Sequence, residues 1–260
     1  MSDLSNNWLF YHRSCKDPTM RLICFPPAAG LSYFFARWPK YLPESIEVCS
    51  LELSNREQRL EQTACNNLPA LCAALAETLY DQLDRPCAFF GHCLGSLLAF
   101  ETARLLHTSY GVLPAQLFLA GLPAPHTLER LINKITHWLG LPDDEMVSAV
   151  LPSGNETVAQ LLQYPAFIQN TAPLLRRDLT MLVHFQPLAG AALPCPLFLF
   201  GGWNDHFADT DELAAWECQT TGECSLKMFP GDHLFPQSES AALLQSLTDA
   251  LLRNGVLCEK

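Results

Sequence analysis

A chain of 260 residues that is 49% hydrophobic, 10% aromatic and only 17% charged can bury a large core, which excludes the disordered and fibrous classes. Sixteen Lys and Arg against 27 Asp and Glu leave a formal charge of −11, which disfavours nucleic acid or an anionic membrane as partner. Eleven cysteines, an odd number spread from Cys15 to Cys258 with no C-x-x-C pair, fit small buried thiols in a reducing compartment rather than a disulfide scaffold or metal site. No signal-peptide core opens the chain and no apolar run reaches membrane-spanning length, so a soluble, cytoplasmic protein is expected.

In chain order, short apolar runs bounded by Gly, Pro and Asn predict strands at Arg21–Phe25, Glu47–Leu53, Cys87–Phe90, Gln116–Ala120, Pro196–Phe200 and Ser225–Phe229. Their apolarity is continuous rather than alternating, as in parallel strands covered on both faces. Helical spacing separates them: Leu68, Leu71, Cys72, Leu75 and Leu79, then Leu97 to Leu106, and finally Leu243, Leu244, Leu247 and Leu251 before Gly255. This alternation predicts an α/β fold with a mostly parallel central sheet, helices on both faces and right-handed crossovers, within one domain spanning 1–260. From Pro123 to about Pro194 only helical patterns occur, around Leu128–Trp138, Met146–Leu151, Val158–Leu162 and Leu174–Phe185. Residues 123–194 therefore read as a helical insertion forming a lid at the carboxyl edge of the sheet; an ordinary helical layer is the alternative.

The strand at Cys87–Phe90 runs directly into Gly91-His92-Cys93-Leu94-Gly95 and then into an apolar helix. This is the strand–turn–helix setting of the G-x-S-x-G nucleophile elbow of α/β-hydrolases, with Cys at the serine position. Gly91 and Gly95 suit a strained turn whose flanking residues pack too closely for side chains. The helix N-terminus favours a thiolate at Cys93, and the Leu94 N–H can face a developing oxyanion. The plain alternative is one more buried cysteine. His92 reads as a packing or hydrogen-bonding residue of the turn.

Such a nucleophile needs a base and an orienting acid, following it in the order nucleophile, Asp, His. Asp205, in Gly201-Gly202-Trp203-Asn204-Asp205, and His233, in Pro230-Gly231-Asp232-His233, each follow a predicted strand. His233 is assigned as base and Asp205 as its partner, with Asp209, Asp211 and Asp232 as competitors. A second oxyanion donor is expected from the loop Phe25-Pro26-Pro27-Ala28-Ala29-Gly30, with Ala28 N–H chosen; a simple Pro/Gly turn is the alternative. A thiol, an imidazole and a carboxylate suffice for acyl transfer, so neither metal nor organic cofactor is expected.

With these residues in hand, the chain resembles the stand-alone type II thioesterases of nonribosomal peptide and polyketide synthesis, and the related medium-chain thioesterases of fatty acid synthesis. The resemblance rests on Leu22–Gly30, Asn55-Arg56-Glu57 with Arg59, Phe89–Glu101, Leu174-Leu175-Arg176-Arg177-Asp178, Gly201–Asp205 with Trp216, and Phe229–Phe235. It implies Cys93 as nucleophile, Asp205 as acid, His233 as base, and Ala28 and Leu94 as oxyanion donors. It also implies the substrate: acyl groups on the phosphopantetheine arm of an acyl- or peptidyl-carrier protein, removed in editing or release. The chain departs from the family pattern in four places. Cys93 replaces a serine, Asn55 a glycine and Arg177 a small residue, and Pro27 and Ala29 alter the loop around Ala28.

The cysteine keeps other chemistries open, because a Cys-bound acyl group stays activated toward amines, thiols and internal hydroxyls. Hydrolysis is the leading expectation, with an acyltransferase or cyclising release enzyme as alternative and a non-catalytic binding protein on the same scaffold as a third. Arg130, Lys134, Arg176 and Arg177, in the helical insertion, are candidate cations for an acidic carrier protein, against the ordinary reading of solvated surface charge. A monomer is expected.

Overall fold

The computed structural model describes residues 8–13, 15–53, 66–151, 156–187 and 190–257. Seven strands occur among them: β1 (Leu9–Tyr11), β2 (Met20–Phe25), β3 (Ile46–Leu51), β4 (Cys87–His92), β5 (Gln116–Ala120), β6 (Leu197–Gly202) and β7 (Cys224–Phe229). They form one sheet in the order β1-β3-β2-β4-β5-β6-β7, in which only β1 runs antiparallel to its neighbour. The mostly parallel sheet with covering helices is the α/β architecture expected.

The inner strands β2 to β6 are buried on both faces, which is why they read as nearly unbroken apolar runs, whereas the edge strands β1 and β7 are partly exposed. Successive residues point to opposite sides. Ile23, Phe25 and Phe89 join one core with α1 (Leu68–Tyr80) and α2 (Leu94–Tyr110). Leu22, Cys24, Ala88 and Phe90 join another, completed by Phe35, Trp38 and the last long helix, described below. Local signals set the helix ends. The Asn67 side chain accepts the Ala70 N–H at the start of α1, and Gly111 closes α2 in the left-handed conformation at φ 69°.

Among the described residues, four α-helices lie between β5 and β6: α3 (Glu129–Leu139), α4 (Asp143–Val150), α5 (Glu156–Leu161) and α6 (Pro165–Val183). Leu131, Ile135, Trp138, Met146, Val147, Leu175 and Leu179 turn inward and merge with the core on the α2 side of the sheet. After β6 come α7 (Thr210–Ala214), α8 (Phe235–Ser238) and α9 (Ser240–Arg253). No described helix is long and apolar enough to cross a membrane.

Two elements differ from the sequence reading. Strand β1 was not expected, since Phe10 and Tyr11 are exposed on an edge strand and carry no burial pattern. Helix α6 begins at Pro165 rather than Leu174, because Pro173 sits inside it and the core packing carries the helix through.

The register fixes what meets at the carboxyl edge. Phe25 pairs with Gly91, His92 with Ala120, Ala120 with Phe200, and Gly202 with Phe229. The segments leaving β2, β4, β6 and β7 therefore emerge side by side, and they carry residues 26–30, 93, 205 and 233.

Candidate active site

Cys93 sits at the junction of β4 and α2 with φ 54° and ψ −126°, a backbone state that L residues rarely hold. Neighbouring bonds stabilise it. Its N–H donates to the Ala120 carbonyl at 2.8 Å, and the buried Ser96 hydroxyl lies 2.9 Å from the carbonyls of both Gly91 and Ala120. A Cβ on Gly91 would overlap the backbone of Gly95, and one on Gly95 would overlap the Phe25 carbonyl and stand 2.7 Å from Pro26 O. The first turn of α2 is thereby laid directly on the loop after β2.

This crowding makes a firm prediction. Gly95→Ala should destabilise the protein by about 3 kcal/mol, since backbone rather than a flexible side chain must give way. Chemical denaturation of the variant measures it, and a midpoint equal to wild type would contradict the packing described.

At the same edge, His233 Nδ1 lies 2.9 and 3.0 Å from the two carboxylate oxygens of Asp205. The Asp205 side chain is fully buried and also accepts the Phe207 N–H at 2.8 Å. Phe207 stacks on the imidazole with ring centroids 3.9 Å apart, fixing the ring plane. The competing acids are engaged elsewhere or lie outside: Asp232 accepts the Leu234 N–H, Asp209 caps α7, and Asp211 is exposed.

Burial by itself would lower the His233 pKa, but the Asp205 carboxylate and the Cys93 sulfur beside the ring outweigh it and raise the value above the usual histidine range. With Nδ1–H directed at Asp205, Nε2 is the free ring nitrogen. It completes no hydrogen bond in this state, although the Cys93 sulfur is near enough to bias the ring's charge. Cys93 and His233 are 2% and 5% exposed, so the site is closed to bulk water.

His92 has a definite role in holding the loops. Its Nε2 is 2.9 Å from the backbone carbonyl of His233, and since a carbonyl only accepts, Nε2 carries the proton. Burial, reinforced by His233, drives its pKa well below the histidine range and keeps it neutral. The elbow is thus tied to the loop that bears His233, as a hydrogen-bonding role for His92 requires.

On the loop after β2, Pro26 and Pro27 have no N–H, Gly30 N–H donates to Pro27 O at 2.8 Å, and Ala29 N–H donates to Asp178 Oδ2 at 2.8 Å. Among the described residues the Ala28 N–H has no acceptor. Leu94 opens α2, where the first amides have no intrahelical partner. Among the described residues, neither the Ala28 N–H nor the Leu94 N–H, the two amides named from sequence, has a backbone or side-chain acceptor.

Residues missed by sequence reasoning are Phe207 and Asp178 as a partner of the loop. Neither contact has a local pattern to betray it. Asn55, Arg56, Glu57 and Arg59 lie outside the described residues. Trp216 is buried and its Nε1–H donates to Leu122 O at 2.8 Å, a structural role. Among the described residues no group of three or more His, Cys, Asp or Glu side chains is arranged to hold a metal ion.

The chain matches a family model described as Thioesterase domain over residues 20–251. The gramicidin S biosynthesis protein GrsT of Aneurinibacillus migulanus is 34% identical over 88% of this chain and 88% of its own length. The linear gramicidin dehydrogenase LgrE of Brevibacillus parabrevis is 33% identical over 95% of this chain and 93% of its own. Among solved structures, RedJ, a thioesterase from the prodiginine biosynthetic pathway in Streptomyces coelicolor, superposes with a TM-score of 0.78 at 29% identity, covering 89% of this chain and 90% of that one.

Proposed function

This chain belongs to the thioesterase family and is a hydrolase of acyl thioesters; from that premise we propose that it clears acyl groups from the phosphopantetheine arm of carrier proteins in nonribosomal peptide or polyketide synthesis. Cys93 is the nucleophile, His233 the base and Asp205 its orienting acid, with Ala28 and Leu94 N–H as oxyanion donors. The observation that carries this reading is the buried Asp205–His233 pair beside the sulfur of a strained elbow. The biosynthetic setting is supported by relatives whose names place them in gramicidin S and prodiginine pathways. The dehydrogenase in the name of LgrE belongs to that protein, whereas the groups gathered here suit acyl transfer. The assigned compartment is the reducing cytoplasm, which suits the free thiols.

The chemistry follows from the atoms. Cys93 Sγ attacks the thioester carbonyl as the thiolate, its proton already held on His233 Nε2, and Asp205 steadies the imidazolium. The carbonyl oxygen gains charge opposite the two amides, the C–S bond to the pantetheine arm breaks, and the leaving sulfur takes the proton from Nε2. The acyl group now sits on Cys93. Water then attacks, giving a proton to His233, and collapse of the second tetrahedral intermediate returns the thiol and releases the acid.

Because the thiol is closed off in this state, helices α3 to α6 are assigned as a lid that must part for the pantetheine arm to enter. The four cations considered for carrier docking are engaged within the chain. Arg176 binds Asp143 and the carbonyls of Leu139 and Leu141, Arg177 binds Asp178, Arg130 binds Glu212, and Lys134 donates to His206 O. They are therefore not assigned to the carrier.

The test is product analysis. An acyl-carrier protein is incubated with the enzyme in water alone and with added amine or thiol, and the products are weighed. Free acid and unloaded carrier are expected as the main products; predominant amide or new thioester would favour acyl transfer to another acceptor instead.

A further inference from the structure

Asp178 lies on α6, 149 residues along the chain from Ala29, yet its buried carboxylate is aimed at the loop after β2 and accepts the Ala29 N–H at 2.8 Å. Its other oxygen is held by Arg177 Nε at 3.1 Å. The residue it grips is unusual: Ala29 has φ 53°, a left-handed state that an L side chain rarely adopts without outside support. The bond with Asp178 and the Gly30–Pro27 turn take up the loop's other amides, and Ala28 N–H is the one left over. The loop is also fixed from below, where Gly95 abuts the carbonyls of Phe25 and Pro26.

We propose that Asp178 is a positioning residue that holds the loop after β2 in its left-handed turn, so that the Ala28 N–H stays available to the charge developing on the acyl carbonyl oxygen. The inference rests on the thioesterase reading above and adds to it. One oxyanion donor is set by a side chain of the helical insertion, so a shift of α6 and the loss of that donor are mechanically linked. Asp178 makes no contact with the reacting atoms and acts through Ala29.

The test separates carbonyl chemistry from simple access to the thiol. Acylation by a pantetheine thioester of a medium-chain acid needs an oxyanion donor, whereas alkylation of Cys93 by iodoacetamide is displacement at a saturated carbon and needs none. Asp178→Ala should slow acylation about 10²-fold, the loss seen when one oxyanion donor is removed, with KM little changed and iodoacetamide labelling of Cys93 unchanged. Asp178→Asn keeps an oxygen able to accept the Ala29 N–H and should recover most of the rate. Wild-type acylation rates in Asp178→Ala would overturn the proposal, as would a parallel fall in alkylation, which would mark general disruption, or an Asn variant no better than Ala. Failure of the wild-type protein to be acylated at all would overturn the thioesterase reading itself, a result distinct from any of these.

Discussion

Replacing Cys93 by Ala is expected to lower turnover of an acyl-carrier thioester on the order of 10⁶-fold, the loss typical of deleting the nucleophile of a triad. The fold should survive, because the side chain shrinks by one sulfur at a position fixed by backbone bonds to Ala120 and by Ser96. Steady-state hydrolysis with circular dichroism as the control checks both parts. Turnover within about tenfold of wild type would remove the nucleophile from the account, since no single secondary effect of a triad deletion is that small. The variant also separates enzyme from binding protein, because a scaffold that only binds acyl-carrier would be indifferent to loss of the thiol.

Asp205→Asn should cost about 10⁴-fold in kcat, because an amide can donate to Nδ1 and so stabilises the wrong imidazole tautomer. The same substitution has a signature in stability. His233 holds its proton more tightly in the folded protein than in the unfolded chain, chiefly through Asp205 working against burial. Its contribution is therefore complete below the unfolded value of about 6.5 and is lost as pH rises through the elevated folded value. The stability gap between wild type and Asp205→Asn should accordingly be widest in mildly acidic solution and narrow toward alkaline pH. Urea midpoints across that range measure it. A gap that widens with rising pH would contradict the assigned pair.

In the proposed mechanism, sulfur at the position where the family pattern has oxygen alters the energetics of the two half-reactions. A serine converts a thioester to an oxygen ester, a downhill step, whereas Cys93 exchanges one thioester for another with little driving force. The acyl-enzyme consequently stays activated, and the fate of the acyl group depends on which nucleophile reaches it in a site sealed as tightly as this one.

Most of the sheet is legible in the sequence because its inner strands are buried on both faces. Runs such as Cys87–Phe90 and Gln116–Ala120 have no surface side to dilute them, and their observed strands differ from the expected ends by two residues at most. Strand β1 escaped notice since three residues with two exposed aromatics resemble loop. The pattern Leu174–Phe185 marks only the second half of α6, since Pro173 inside the helix has the local character of a breaker and only tertiary packing shows that its missing N–H is tolerated.

The site was readable in proportion to how local its constraints are. The elbow declares itself through two glycines whose hydrogens face backbone on either side, a demand confined to five residues. Choosing Asp205 over Asp209, Asp211 and Asp232 required the fold, since all four lie in the segments that follow β6 and β7 and only geometry shows which meets the imidazole. The Asp178–Ala29 bond and the Phe207 stack leave no trace in spacing, because each joins segments whose meeting is decided by the sheet register. The partners of the basic residues are equally invisible in the sequence, because Glu212, Asp143 and the His206 carbonyl reach Arg130, Arg176 and Lys134 only through the packing of neighbouring segments.

The most direct test is where the acyl group rests in mid-reaction. Rapid quenching of the enzyme with a loaded carrier protein, followed by peptide mass mapping, should find one acyl group on Cys93, released by neutral hydroxylamine as a thioester must be. An adduct on any other residue, or turnover with no adduct at any time, would contradict the account.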